Sequence, residues 1–166
     1  MKDLPLPDQR HLDAADGWLG LGDFPSASEE LDQIAPDLRA HPCVLELRYK
    51  LYAETKRWAL AVEMARSMAE SLPDQPWGHF YLAYSLHELK RTQAAYDTLR
   101  PVVDRFPEEW LMRFNLACYA CQLGQLKEAM MWLKQAMALA GKKEVCAMAL
   151  ADPDLKPLWD KIPPPT

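Results

Sequence analysis

Alanine recurs at Ala27, Ala61, Ala95 and Ala129, one every 34 residues, and other positions keep their chemical type at the same interval. A fixed period of this length marks a fold assembled from one supersecondary unit used repeatedly. Each unit is too small to bury its own apolar face and buries it against the next copy. The period divides most of the chain into residues 8–41, 42–75, 76–109 and 110–143, with a segment 1–7 ahead of them and a tail 144–166 behind.

Every unit holds two apolar runs at helical spacing, separated near its middle by Leu21-Gly22-Asp23, Thr55-Lys56-Arg57, Leu89-Lys90-Arg91 or Leu123-Gly124-Gln125. The pattern predicts an all-α chain of helical hairpins. Gly22 and Gly124 suit the left-handed residue that ends a helix. Lys56 and Lys90 stand in the same place and set positive charge against the carbonyl end of the first helix. Between units the breaks carry proline, as in His41-Pro42, Pro73-Asp74-Gln75-Pro76 and Pro107-Glu108-Glu109, where proline ends one helix and fits the first turn of another. Asp74, Glu108 and Glu109 then lie near positive helix N-termini, which gives them a structural role. Pro36 and Pro101 should end the second helices of their units early.

Ala15, Ala83 and Ala117 in the first helices, with the 34-residue series in the second, are small where antiparallel helices cross closely. Bulky neighbours, Trp18, Tyr52 and Leu86 on the first helices and Leu31, Leu99 and Leu133 on the second, are expected to fill the space between hairpins. Tyr49 stands where the other units have alanine, so the second hairpin should pack differently. In the tail, residues 145–150 extend as a helix, Asp152-Pro153 breaks it, and Leu155, Leu158, Trp159 and Ile162 form a further apolar face. The tail is read as a cap on the last hairpin, lying over Met130, Met131 and Met137.

This arrangement resembles the tetratricopeptide repeat (TPR) family, through the unit length, the small residues at the crossing and the closing proline. The fourth unit matches best, by Leu116-Ala117, Gly124, Ala129, Leu133 and Ala136, and the third by Leu82-Ala83, Ala95, Leu99 and Pro107. Arg48-Tyr49 in the second unit and Arg39 in the first depart from the pattern. The resemblance implies a right-handed superhelical α-solenoid of about four hairpins plus a C-terminal capping helix. It also implies a concave groove, lined by the first helices, that takes a peptide or protein segment. On that register Trp77, Phe80, Tyr81, Tyr84 and Glu88 face the groove from the third unit, Phe114, Asn115 and Cys118 from the fourth, and Lys50 from the second. Some members clamp a chaperone's terminal carboxylate with lysine, arginine and asparagine. Here Leu12, Asp16, Leu47, Trp77 and Tyr81 occupy the corresponding places, and Lys50 and Asn115 do not complete the clamp.

Composition sets the remaining expectations. A net charge of −5 with scattered lysine and arginine argues against nucleic acid, which calls for a cationic face. Residues 1–10 lack the apolar run of a signal peptide and no stretch approaches the roughly 20 apolar residues of a membrane span, so a cytoplasmic location without membrane contact is expected. The four cysteines are irregularly spaced and are read as reduced. Cys118 and Cys121 form a C-x-x-C near the middle of a helix rather than at its N-terminus, which points to structural thiols. A metal site would require two further ligands, of which His87 is the only neighbour, so no metal and no cofactor are expected. His11, His41 and His79 show no catalytic spacing to a nucleophile or carboxylate. The expected function is a non-catalytic adaptor for a protein or peptide. The alternatives are a secretion-type chaperone that holds a client and dimerises, and a metal or redox protein using the C-x-x-C.

Overall fold

Four turns join first to second helices, and all four end the first helix the same way. In the computed structural model, which describes residues 4–164, Gly22 and Gly124 have φ of 76° and 77°, and Lys56 and Lys90 adopt the same left-handed backbone at 54° and 63°. The next residue's N–H reaches back into the last turn of the first helix, Asp23 to the Trp18 carbonyl at 2.9 Å, Arg57 to Tyr52 at 2.7 Å, Arg91 to Leu86 at 2.9 Å and Gln125 to Ala120 at 2.8 Å. A left-handed residue followed by this long back-bond satisfies carbonyls that a helix end otherwise leaves open. For a residue with a Cβ that backbone costs roughly 1–2 kcal/mol, against the roughly 0.5–1 kcal/mol of extra chain entropy that glycine loses on folding. Lys56→Gly and Lys90→Gly should therefore each raise stability by about 0.5–1 kcal/mol, read as a later urea midpoint at unchanged slope.

The chain divides into two units at Ser85 and Leu86, a point inside helix α5. Unit 1 holds α1 (Leu6–Gly20), α2 (Phe24–Gln33), α3 (Pro42–Glu54), α4 (Trp58–Ser71) and most of α5 (Pro76–Glu88). Helix starts are set locally. Asp23 caps α2 by accepting from the Ser26 N–H at 3.1 Å, and the His41 ring accepts from the Cys43 N–H at 3.4 Å at the head of α3. Helix α2 stops at Gln33, ahead of Pro36, which opens a single 3-10 turn, Pro36–Leu38. Inside, Ala15, Ala27 and Ala61 are wholly buried, and Leu12, Leu31, Ile34, Val44, Leu47 and Leu51 fill the core around the first two. Leu4 belongs to this core as well. Trp18 departs from its expected packing role and stands exposed.

Tyr49, in alanine's place, is buried and stacks on Tyr81 at 4.2 Å with a 20° tilt, while the Ser85 hydroxyl donates to its phenol oxygen at 3.5 Å. The first turn of α5 comes closer still to α4. A Cβ built on Gly78 would sit 2.5 Å from the Ala69 backbone nitrogen and 2.8 Å from its Cα. Glycine at this point is what lets the two backbones touch.

Unit 2 holds the end of α5, α6 (Thr92–Leu99), α7 (Trp110–Gln122), α8 (Leu126–Ala140), α9 (Lys142–Ala151) and a C-terminal 3-10 segment, Pro153–Lys161. Helix α6 is short because Pro101 follows it. Ala95, Ala117, Ala129 and Ala136 are wholly buried where the helices pack, with Leu99, Leu116 and Leu133 beside them. Buried Arg113 donates to the Phe106 carbonyl at 3.2 Å and the Glu109 carbonyl at 3.3 Å, tying the head of α7 to the turn that precedes it.

The tail makes two different contacts. Helix α9 packs on α8, whereas the 3-10 segment turns back against α7 and α9. Leu155, Leu158 and Ile162 are buried there, and the Trp159 indole N–H donates to the Ala149 carbonyl at 2.9 Å. Helix α7 is thus covered on nearly every side, with residues 112–114 and 116–121 all buried. Met131 remains exposed, so the tail does not lie over it.

Candidate protein-binding face

The aromatic residues of the third repeat fall in unit 1, on α5, and the structure gathers them into one connected group. Trp77 meets Phe80 edge-on at 6.0 Å and lies over Tyr81 at 6.1 Å, and Phe80 stacks with Tyr84 at 6.5 Å. Spacings of three and four place them on one helix face. Two rings from other helices complete the group: Tyr49 of α3 under Tyr81, and Trp58 of α4, which meets Tyr84 edge-on at 5.8 Å. The outer rings are open to solvent, Trp77 at 42% and Tyr84 at 37%, while Phe80 and Tyr81 are half-buried beneath them. The α5 stripe was legible in the sequence, and of its two supports only one was marked there. Tyr49 had already announced itself by replacing a crossing alanine, but nothing in the repeat register marked Trp58.

Polar groups border the rings. The Lys50 ammonium lies 2.9 Å from a Glu46 carboxylate oxygen, both side chains about half exposed. That hydrogen bond holds Lys50 above its ordinary value against a desolvation that lowers it, with Asp16 also favouring the charged form. Burial pushes the Tyr81 phenol up, Glu46 adds to the rise and Lys50 opposes it. The ring stays neutral at physiological pH and offers its face and its O–H rather than a charge. Lys50 is already paired with a carboxylate, which weakens it as an anion clamp.

In unit 2 the expected groove residues meet a different fate. Phe114 and Cys118, expected to face a ligand, are each only 4% exposed. Phe114 packs edge-on to Trp110 at 6.4 Å, and Cys118 lies under the tail, where its thiol donates to an Asp152 carboxylate oxygen at 3.5 Å. Asn115 and Glu88 are half-buried, and the Asn115 amide nitrogen has no hydrogen-bond partner. Gln122 donates to the Asp154 carbonyl at 2.9 Å. Buried His87 bridges Thr92 at 3.0 Å and the Asp154 carboxylate at 2.7 Å. The 3-10 segment thus occupies the side of α7 on which a ligand was expected.

The C-x-x-C takes its character from the same segment. Burial and the neighbouring Asp152 carboxylate push the Cys118 thiol well above its ordinary value, and burial followed by Asp154 and Asp152 pushes Cys121 up. A redox or nucleophilic cysteine needs the opposite, a stabilised thiolate open to its substrate. Among the described residues no three of histidine, cysteine, aspartate and glutamate are arranged to hold a metal ion. Among the same residues no helix is long and apolar enough to cross a membrane.

Comparison with solved structures places this architecture in a class, the tetratricopeptide-repeat α-solenoid. The chain is similar to a crystal structure of MamA protein, with 16% identity and a TM-score of 0.76 over 94% of this chain and 86% of that one. It is also similar to MamA 41-end from Desulfovibrio magneticus RS-1, at 16% identity and TM-score 0.74 over 95% of this chain and 92% of that one. A thermophilic TPR protein in Thermus thermophilus aligns at 17% identity and TM-score 0.71, over 93% of this chain and 82% of that one. No protein-family model matches the chain, and no curated protein matches it in sequence. Structural similarity at this level shows the fold alone, and it is the fold that the family resemblance implied.

Proposed function

We propose that the protein is a non-catalytic interaction module that takes a segment of a partner protein on the aromatic face of unit 1. The observation that supports this reading is the pairing of open rings, Trp77 and Tyr84, with half-buried Phe80 and Tyr81 and the fixed rings of Tyr49 and Trp58 behind them. Aromatic side chains held in place by others offer wide contact at little loss of rotamer freedom, which is the make-up of an interface anchor. Lys50 borders the face, and Glu88 and Asn115 are half-buried on unit 2. Phe114 and Cys118, being covered, contribute no contact in this reading.

Trp77→Ala combined with Tyr84→Ala should remove two anchors worth about 2 kcal/mol or more each when central to an interface, and binding of the wild type's partners should fall at least tenfold. Quantitative pull-down from the source cell, with thermal unfolding of the same samples, checks it. The double mutant should lose far less stability than Leu99→Ala, whose wholly buried site predicts roughly 2–5 kcal/mol. A folded double mutant that recovers every wild-type partner would place the binding surface elsewhere.

A further inference from the structure

Beside the aromatic rings, unit 1 carries two hollows that share the side chains of Cys43 and Glu46. The larger, about 330 Å3, has mostly apolar walls, among them Pro42, Met68, Leu72 and Trp77, with Glu46 at its edge. That space accepts one bulky apolar side chain. The smaller, about 150 Å3, lies between α1 and α3 on a floor that includes Leu12 and Leu47, and its charged lining is Asp13, Asp16, Glu46 and Lys50. Three carboxylates therefore face one ammonium, and that ammonium is already paired with Glu46 at 2.9 Å. The hollow keeps an excess of negative charge that nothing in its lining offsets.

Resting on the proposed use of this face, we infer that its partner segment is cationic: an extended stretch with a lysine or arginine close in sequence to a bulky apolar residue. The apolar side chain enters the hollow beside Trp77, and the cation enters the one lined by Asp13, Asp16 and Glu46. Charge complementarity decides between classes of segment, because an acidic peptide would bring like charge against these carboxylates and lose affinity by it. The neighbouring faces of Trp77 and Tyr84 favour the same occupant, since an aromatic face attracts a cation and most of all a guanidinium.

The test is a random-peptide display selection on the full chain, run in parallel on wild type, on Trp77→Ala/Tyr84→Ala and on Asp16→Asn/Glu46→Gln, with thermal unfolding verifying that each variant is folded. Wild type should enrich peptides with lysine or arginine near leucine, isoleucine, phenylalanine or methionine. Synthetic copies should bind at least fivefold more weakly to Asp16→Asn/Glu46→Gln, and the wild-type affinity should fall as salt rises from about 50 to about 300 mM while that of the variant changes less. Enriched peptides that need Trp77 and Tyr84 but are neutral or acidic, or that ignore Asp16→Asn/Glu46→Gln, overturn the cationic partner and leave the aromatic face standing. Peptides that bind all variants equally, or a selection that enriches nothing, overturn both.

Discussion

Gly78→Ala should destabilise unit 1 by about 3 kcal/mol, more than any other single methyl group added at a glycine of the chain. Overpacking a filled interior typically costs about 1–3 kcal/mol, and this site stands at the upper end of that range because the atoms in the way belong to a backbone. The new Cβ would lie 2.5 Å from the Ala69 nitrogen, 2.8 Å from its Cα and 2.9 Å from the Met68 carbonyl carbon, so no rotamer change relieves it. Helix α5 would have to lift from α4. Trp77 precedes the glycine and Phe80 follows it by two residues, so the same change should also loosen the aromatic face. Urea unfolding measures the first effect, and Trp fluorescence under native conditions reads the second. Gly17, whose added Cβ would meet nothing within 4 Å, is the control: Gly17→Ala should be neutral or slightly stabilising in its helix. Equal effects at the two glycines would refute the close approach of α4 and α5.

Ending the chain at Ala151 should weaken unit 2 by at least what one buried leucine is worth, roughly 2–5 kcal/mol. The cut removes Leu155, Leu158 and Ile162 from their buried places. It also strips the Asp154 partner from His87 and Gln122 and the Asp152 partner from Cys118. Two signatures accompany the loss if the 3-10 segment covers α7 as described. Cys118 and Cys121 become accessible to a thiol reagent in the folded protein, and an environment-sensitive dye that reports exposed apolar surface binds. Leu155→Ala/Leu158→Ala in the full-length chain should show the same signatures to a smaller degree. A truncated protein with an unchanged unfolding midpoint and protected thiols would mean that the segment merely rests on the surface.

The hairpins were legible because they depend on patterns a single sequence displays: a fixed period, small residues at crossings, and glycine or proline at breaks. Ala15, Ala27, Ala61, Ala95, Ala117 and Ala129 were all placed correctly in wholly buried positions, since only a crossing demands so small a residue so regularly. Lys56 and Lys90 were aligned with the turn glycines, but their left-handed backbone did not follow from residue type, which ordinarily avoids it. Gly78 passed unnoticed for the converse reason. A lone glycine inside a helical pattern reads as a small propensity loss, and only the neighbouring helix reveals what it admits. The aromatic stripe on α5 was visible from its spacing, and the mid-helix C-x-x-C pointed to a structural Cys118, whereas the burial of Phe114 had no signal. The tail beyond the last repeat reads as a cap from its own apolar spacing, but a segment that does not repeat gives no sign of which side of α7 it covers.

The joining of His87 to Asp154 spans 67 residues of chain, and Gln122 meets the same aspartate across 32. Chains are made from the N-terminus at about 5–20 residues per second, and domains tend to fold as they emerge. Every residue that builds the core and aromatic face of unit 1 has been synthesised by Ser85. Unit 2 closes only once residues 152–162 are available, because its central helix takes its cover from them. For several seconds on the ribosome, then, the nascent chain presents a finished first half followed by a second half whose α7 is still bare. Slowing translation between the codons of α7 and those of residues 152–162 should lengthen that interval, in which transiently exposed apolar surface favours aggregation.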